Sequence, residues 1–220
     1  MKIIHLTHTD INSDNRILKE IDAISKIPNV KIFGLGIKLN EHNAEQKITK
    51  HNVKIITLNI LSRRLRLLPK IFRFPLVFIE LFFRSIFYLF KIRPLIIHCH
   101  DTLVLPIGLF YKIFNKKIHL IYDAHELESE KNGQTKILSQ ITLLIEKFAW
   151  KRIDLLISVS KSIIDWYIKN LGKKKSILIM NAPLITQSKI NTNKKNYLRM
   201  KYQIPEQSRV FLYVGLFSKG

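Results

Sequence analysis

Asp123, His125, Glu126, Glu128 and Glu130, in the stretch "IYDAHELESE" (121–130), set one imidazole among carboxylates directly after an apolar run. The chain carries 37 Lys+Arg against 16 Asp+Glu, so acids placed this densely need a reason. Carboxylates and neutral imidazoles accept hydrogen bonds from hydroxyl groups, and a histidine near its ordinary pKa can take a proton as a hydroxyl attacks. Similar groups follow other apolar runs: His8, Thr9 and Asp10 after the first, "HCHD" (98–101) after another, Ser158 and Ser160 after a third. A set of this kind suits a substrate rich in hydroxyls, such as a sugar.

Other chemistries fit less well. "HCH" with Asp101 suggests zinc, but consecutive strand residues point to opposite faces and no second Cys/His pair stands at finger spacing, so no metal is expected. His98 reads more readily as a core histidine bonded to backbone, and Cys99 as packing. Glu128 and Glu130 also read as solvated loop acids. "GLG" (34–36) lacks the third glycine of a dinucleotide loop, and there is no nucleophile elbow.

Alternating strands and helices must position these groups. Apolar runs at 2–7, 30–37, 53–60, 94–100, 117–123, 153–160 and 176–183 read as strands. Between them, "DNRILKEIDAISKI" places Ile17, Ile21 and Ile24 on one helical face, with Leu18 beside them and Arg16, Lys19, Glu20 and Asp22 outward. Asn12 and Ser13 offer its N-cap and Pro28 stops it. Further helices are expected over 102–115, despite Pro106 in the first turn, 135–151 and 161–172, the last closed by Gly172. Continuous apolar strands alternating with helices predict an α/β fold, a Rossmann-like doubly wound parallel sheet. In such sheets ligands sit outside the carboxyl ends of the strands, which is where Asp123, His125 and Glu126 fall.

The 220 residues are 47% hydrophobic, which describes a globular chain, and the single cysteine excludes an internal disulfide and fits a reducing cytoplasm. "MKIIHLTHTD" does not read as a secretory signal. The net charge of +21 invites nucleic acid or an anionic membrane, or is solvated surface. Without aromatic stacking motifs or a reading helix, nucleic acid is the weakest of these. After Pro183 the texture turns polar. The expected organisation is a domain over 1–184, a linker with a short helix over 185–208, and the first strand of a further domain over 209–220.

"DNRILKE", "HCHD", "YDAHELESE", "IDLLISVSKSI", "IMNAP" and "LYVGLFSKG", in this order, resemble glycosyltransferase family 4, whose members are GT-B enzymes with two Rossmann-like domains facing a cleft. The resemblance covers essentially the whole chain and rests on the order of six motifs rather than any one. It implies an amino-terminal domain that binds the acceptor, a carboxyl-terminal domain that binds the nucleotide sugar, and metal-independent transfer with retention, with no cofactor. It places the family's acceptor-side catalytic histidine on His125. Asp10, Asn15, Arg16, His100, Asp101, Asp123 and Glu126 fall on acceptor-side loops. Lys219 falls on a donor-diphosphate position, while Leu216 stands where the family commonly has Arg. The family's later Glu-containing donor motif has no counterpart up to Gly220, so transfer by this chain alone is not expected. The reading is a transferase of cell-surface polysaccharide assembly lacking most of its donor domain. The alternative is a non-catalytic acceptor-binding or membrane-associating subunit that partners a separate donor-domain chain.

Residues 63–93 carry eight Lys/Arg and one acid, Glu80. Arg73, Glu80 and Arg84 interrupt the apolar run, so it does not read as a spanning helix. Glu80 and Arg84 are spaced to pair. The segment reads as an amphipathic surface for anionic lipid, useful with a lipid-linked glycan acceptor, or as a core crossover helix with a basic rim. The expected location is the cytoplasm, peripheral on the inner face of the plasma membrane.

Overall fold

A computed structural model describes residues 1–38, 51–65, 67–131, 133–182 and 197–212. It contains strands β1 (Lys2–Leu6), β2 (Lys31–Ile37), β3 (Val53–Leu58), β4 (Ile96–His100), β5 (His119–Ala124), β6 (Leu155–Ser158) and β7 (Ser176–Leu178). Its helices are α1 (Asn15–Ile24), α2 (Lys70–Ile92), α3 (Leu105–Phe114), α4 (Lys136–Trp150), α5 (Lys161–Leu171) and α6 (Tyr197–Tyr202). The strands form one sheet in the order β3-β2-β1-β4-β5-β6-β7, and every pairing is parallel. The order reverses between β1 and β4, which is the switch point where doubly wound sheets open a crevice at their carboxyl edge.

Alternation divides the sheet into two faces. Ile4, Leu6, Ile97, Cys99, Leu120 and Tyr122 pack in one cluster with residues of α2, α3, α4 and α5. Ile3, Ile32 and Ile55 pack on the other face against Ile17 and Ile21 of α1. Cys99 is buried in the first of these clusters as packing, and burial pushes its thiol pKa up. Gly34 and Gly36 are explained by close approach: a Cβ on Gly34 would lie 2.5 Å from Ile11 Cδ1, and one on Gly36 2.7 Å from the Thr9 carbonyl oxygen.

Two local details differ from the sequence expectation. Asp14, not Asn12 or Ser13, caps α1, accepting from the Arg16 and Ile17 amides. Arg16 is 7% exposed and the Glu20 side chain 12% exposed, so neither looks outward. Their place on α1 is the same as expected, but they meet polar groups of the sheet, which the helical period cannot foresee.

α2 buries only Leu81, Ser85, Leu89 and Ile92. Phe72, Phe74, Ile79, Phe83, Phe87 and Phe90 are exposed on it. Its one acid, Glu80, accepts from the Leu61 and Ser62 amides and from Arg84 Nε at 2.8 Å, tying the basic 61–64 turn to the helix. No helix among the described residues is long and apolar enough to cross a membrane.

The chain divides into the units Met1–Met180 and Asn181–Gly220. In the second, Arg199 on α6 donates to the carbonyls of Pro205 and Ser208. Residues 210–212 lie in no regular element, and the rest of the strand expected over 209–220 lies outside the described residues. Lys219, Leu216 and most of the expected linker lie outside the described residues.

Candidate functional site

The carboxyl ends of β1, β4 and β5 lie side by side, and their loops converge on Asp101. His8 Nδ1 stands 3.6 Å from Asp101 Oδ2, and His125 Nδ1 stands 3.7 Å from Asp101 Oδ1. Asp101 adopts φ 74, ψ 160, a region that non-glycine residues avoid and that persists where surrounding structure enforces it. Two contacts enforce it here. The Asp101 amide donates to the Asp123 carbonyl, and the following turn is held by Thr102, whose Oγ1 bonds both Tyr122 and Glu146. Glu146 also accepts from the hydroxyls of Tyr122 and Tyr167 at 2.6 Å, joining β5, α4 and α5 beneath the site.

His125, 23% exposed at its side chain, is held from below. Its Nε2 lies 3.2 Å from Asp123 Oδ2. Asp123 is fully buried and is gripped by Arg16, whose Nε and Nη2 donate to Oδ2 and Oδ1 at 3.1 and 2.8 Å. Arg16 Nη1 donates in turn to the Ile179 carbonyl. Burial opposes ionisation of Asp123, but hydrogen bonds from His100, His125 and Arg16 outweigh it, and its pKa is lowered. Burial likewise opposes a charged His125, yet the bond to Asp123 and the charges of Asp123 and Asp101 prevail and raise its pKa. The result is an imidazole fixed in orientation, basic, and open on one side.

The expected site residues therefore separate into two layers. His125 and Asp101 are at the rim, with the exposed Glu126 beside them, 3.2 Å from Lys131 Nζ. Arg16, His100 and Asp123 are buried, so they support the rim and present no face to an acceptor. Asp10 turns into its own loop, accepting from the Asn12 amide. Asn15 is exposed as the first residue of α1. Ser158 bonds the Ala124 carbonyl and Ser160 caps α5, both structural roles.

Glu20 is an addition to the residues read from the sequence, where His8 and Glu128 are already visible. The reading of Glu128 as a solvated acid is corrected: it is 5% exposed. Burial and the charge of Asp101 raise its pKa to about 8, against the pull of Lys131, whose Nζ lies 2.7 Å away. A carboxyl whose folded pKa is raised above its ordinary 4.5 contributes stability that is present at low pH and is lost as pH climbs through about 8. Between about pH 5 and pH 9 the wild type is therefore expected to lose about 1–3 kcal/mol more stability than Glu128→Gln, a difference to which the buried histidines, present in both proteins, do not contribute. Equal pH slopes for the two proteins would contradict the assignment. The signal in the sequence is only that Glu128 precedes an apolar helix; its burial depends on how the loop folds back.

A family model described as Glycosyltransferase Family 4 matches residues 39–182. No curated protein matches. Among solved structures, a sucrose-phosphate synthase from Thermosynechococcus elongatus aligns with TM-score 0.61 at 11% identity, covering 93% of this chain and 53% of that one. A partial chain of the same protein gives TM-score 0.58 at 13% identity, with 92% and 99% covered. A ugt transferase from Siraitia grosvenorii, solved in complex with UDP, gives TM-score 0.61 at 10% identity, with 93% and 56% covered. The lipopolysaccharide outer core galactosyltransferase WaaB gives TM-score 0.53 at 14% identity, with 85% and 47% covered. The chain thus spans about half the length of the full chains it resembles, and these likenesses show the shared Rossmann-like GT-B architecture. With the family model covering 39–182 and the sheet order and the convergence of "HCHD" and "YDAHE" on one rim in agreement, the chain belongs to glycosyltransferase family 4.

Proposed function

We propose that this chain is the acceptor-side half of a retaining glycosyltransferase that moves a sugar from a nucleotide sugar to a glycan or lipid-linked acceptor in cell-surface polysaccharide assembly. The observation that carries the reading is His125, held between buried Asp123 at 3.2 Å and Asp101 at 3.7 Å at the carboxyl edge of the sheet's switch point. An imidazole so fixed can orient a sugar hydroxyl or take its proton as the glycosidic bond forms. Asp101, His8 and Glu126 offer acceptors for further hydroxyls. The transfer needs no metal in this reading. The nucleotide-sugar half comes from a second domain, in the same polypeptide or a separate one, with Lys219 on the diphosphate.

The acceptor's lipid sets the place of work: the cytoplasmic face of an anionic membrane. Supporting this are the exposed phenylalanines of α2 beside Arg63 and Lys70, and exposed Ile113, Phe114, Leu144 and Phe148 on neighbouring α3 and α4. An apolar surface this broad with a basic margin suits a lipid interface. Flotation with vesicles containing anionic lipid is expected to recover the protein, and Phe83→Glu with Phe87→Glu to reduce recovery at least about tenfold, each added charge opposing burial in the interface. Undiminished flotation of the double variant would assign the α2 surface to another partner. The transfer reading is tested by incorporation of labelled sugar from a nucleotide-sugar panel into extracted lipid-linked glycan, with the donor-binding half supplied. No incorporation from any donor would refute it.

A further inference from the structure

Beneath α1, on the face opposite the main cluster, lies a group of side chains the transfer reading does not use. β1 contributes His5, β4 contributes His98 and His100, and α1 contributes Glu20. His5 and His98 are register partners, and His98 and His100, two residues apart, share that face. The argument that adjacent ligands diverge therefore holds for Cys99 but not for these two histidines. The three rings are buried and stacked close, with His98 and His100 centroids 4.2 Å apart and those of His5 and His98 4.7 Å apart.

Their polar atoms are poorly served by the protein. His5 Nε2, His98 Nε2 and both oxygens of Glu20 are buried without a hydrogen-bond partner. Buried polar atoms are ordinarily paired, so the orphans of His98 and Glu20, which face one another at 3.8 Å, point to a missing occupant. His5 Nδ1 and His100 Nε2 lie 2.9 Å apart and share one proton. His98 Nε2 is 3.8 Å, and His100 Nε2 4.0 Å, from Glu20 Oε2.

We propose that His5, His98, His100 and Glu20 form a binding site for a divalent transition-metal ion of the zinc class. One ligand atom from each lies within 4.8 Å of all the others. Ligand atoms around a tetrahedral ion with bonds near 2.1 Å stand about 3.4 Å apart, so the observed 2.9, 3.8 and 4.0 Å close on an ion with small side-chain movements. Three imidazoles and one carboxylate favour zinc, cobalt, nickel or copper and disfavour magnesium and calcium, which take oxygen shells. The surroundings also suit a metal. Asp123 Oδ2 stands 3.3 Å from His100 Nδ1, the outer carboxylate that orients a ligating histidine. Arg16 Nε, 3.4 Å from Glu20 Oε1, steadies the carboxylate.

A neighbouring combination of His100, Asp123 and His125 is the weaker candidate, because both Asp123 oxygens are already engaged by Arg16. In the favoured site the ion takes the position of the proton shared by His5 and His100. It ties α1 to β1 and β4 below the rim, away from the reacting atoms, so the inference stands or falls independently of sugar transfer.

The test is titration of chelator-stripped protein with Co²⁺, followed by competition with Zn²⁺. One equivalent with the visible bands of tetrahedral cobalt, displaced by zinc and accompanied by a raised melting temperature, is expected. Glu20→Gln, on the helix side of the site, and His98→Gln should each weaken binding by at least about 100-fold, since even outer-shell losses reach that size. Because His98→Gln can fail to fold, the wild-type titration decides first: no cobalt bands and no shift in melting temperature would overturn the proposal. Binding that survives Glu20→Gln but is lost in His51→Ala or His119→Ala would overturn it too, by moving the ion to exposed histidines.

Discussion

Arg16→Met is expected to destabilise the amino-terminal unit by about 3–5 kcal/mol, the loss typical when one partner of a buried charge pair is removed. Asp123 is fully buried and Arg16 meets both its oxygens, so without the guanidinium the carboxylate stays behind with only imidazoles to answer its charge. The Ile179 carbonyl loses its donor at the same time. Arg16→Lys should fall between, because an ammonium keeps the charge but cannot make the fork. The double variant Arg16→Met with Asp123→Asn should recover part of the loss, since the stranded charge is then absent. Chemical denaturation measures all three. A loss below about 1 kcal/mol in Arg16→Met would show that the pair is not what holds α1 to the strand ends.

His125→Ala is expected to lower transfer by roughly 100- to 10,000-fold, the range for removing a positioned acid–base or orienting group, while melting close to wild type. The two effects separate because His125 is at the rim and half-open, whereas its supports are buried. Asp101→Asn should lower transfer less and leave the rim intact, because the strained backbone at 101 is imposed by the Asp123 carbonyl and the Thr102 turn rather than by the carboxylate. Steady-state rates with the donor-binding half present, paired with thermal melts, check both variants. Turnover by His125→Ala within about threefold of wild type would remove His125 from the chemistry.

The strand-and-helix order was legible in the chain because it depends on local pattern. Continuous apolar runs such as "IIHCH" and "HLIYDA" can be buried on both faces only in a parallel sheet, and the amphipathic repeat of Ile17, Ile21 and Ile24 can only be a helix laid on it. That a parallel sheet gathers its carboxyl-end loops also makes Asp101 and His125 neighbours on the strength of the strand pattern alone.

What pattern could not decide was which polar residues face the crevice and which are shut beneath it. Hydrophobic periodicity assigns charged positions on α1 to solvent, yet Arg16 and Glu20 are turned into the sheet by Asp123 and the histidines. Glu128 looks like any loop acid until the chain folds it under Asp101. By itself the sequence determined the alternation, the sheet's parallel character and the family, since these follow from neighbours along the chain. Only the tertiary structure decided the layering of the site and the histidine group under α1, because both arise from residues about a hundred positions apart, such as Arg16 with Asp123 and His5 with His100, meeting in a low-dielectric interior where each must find its partner.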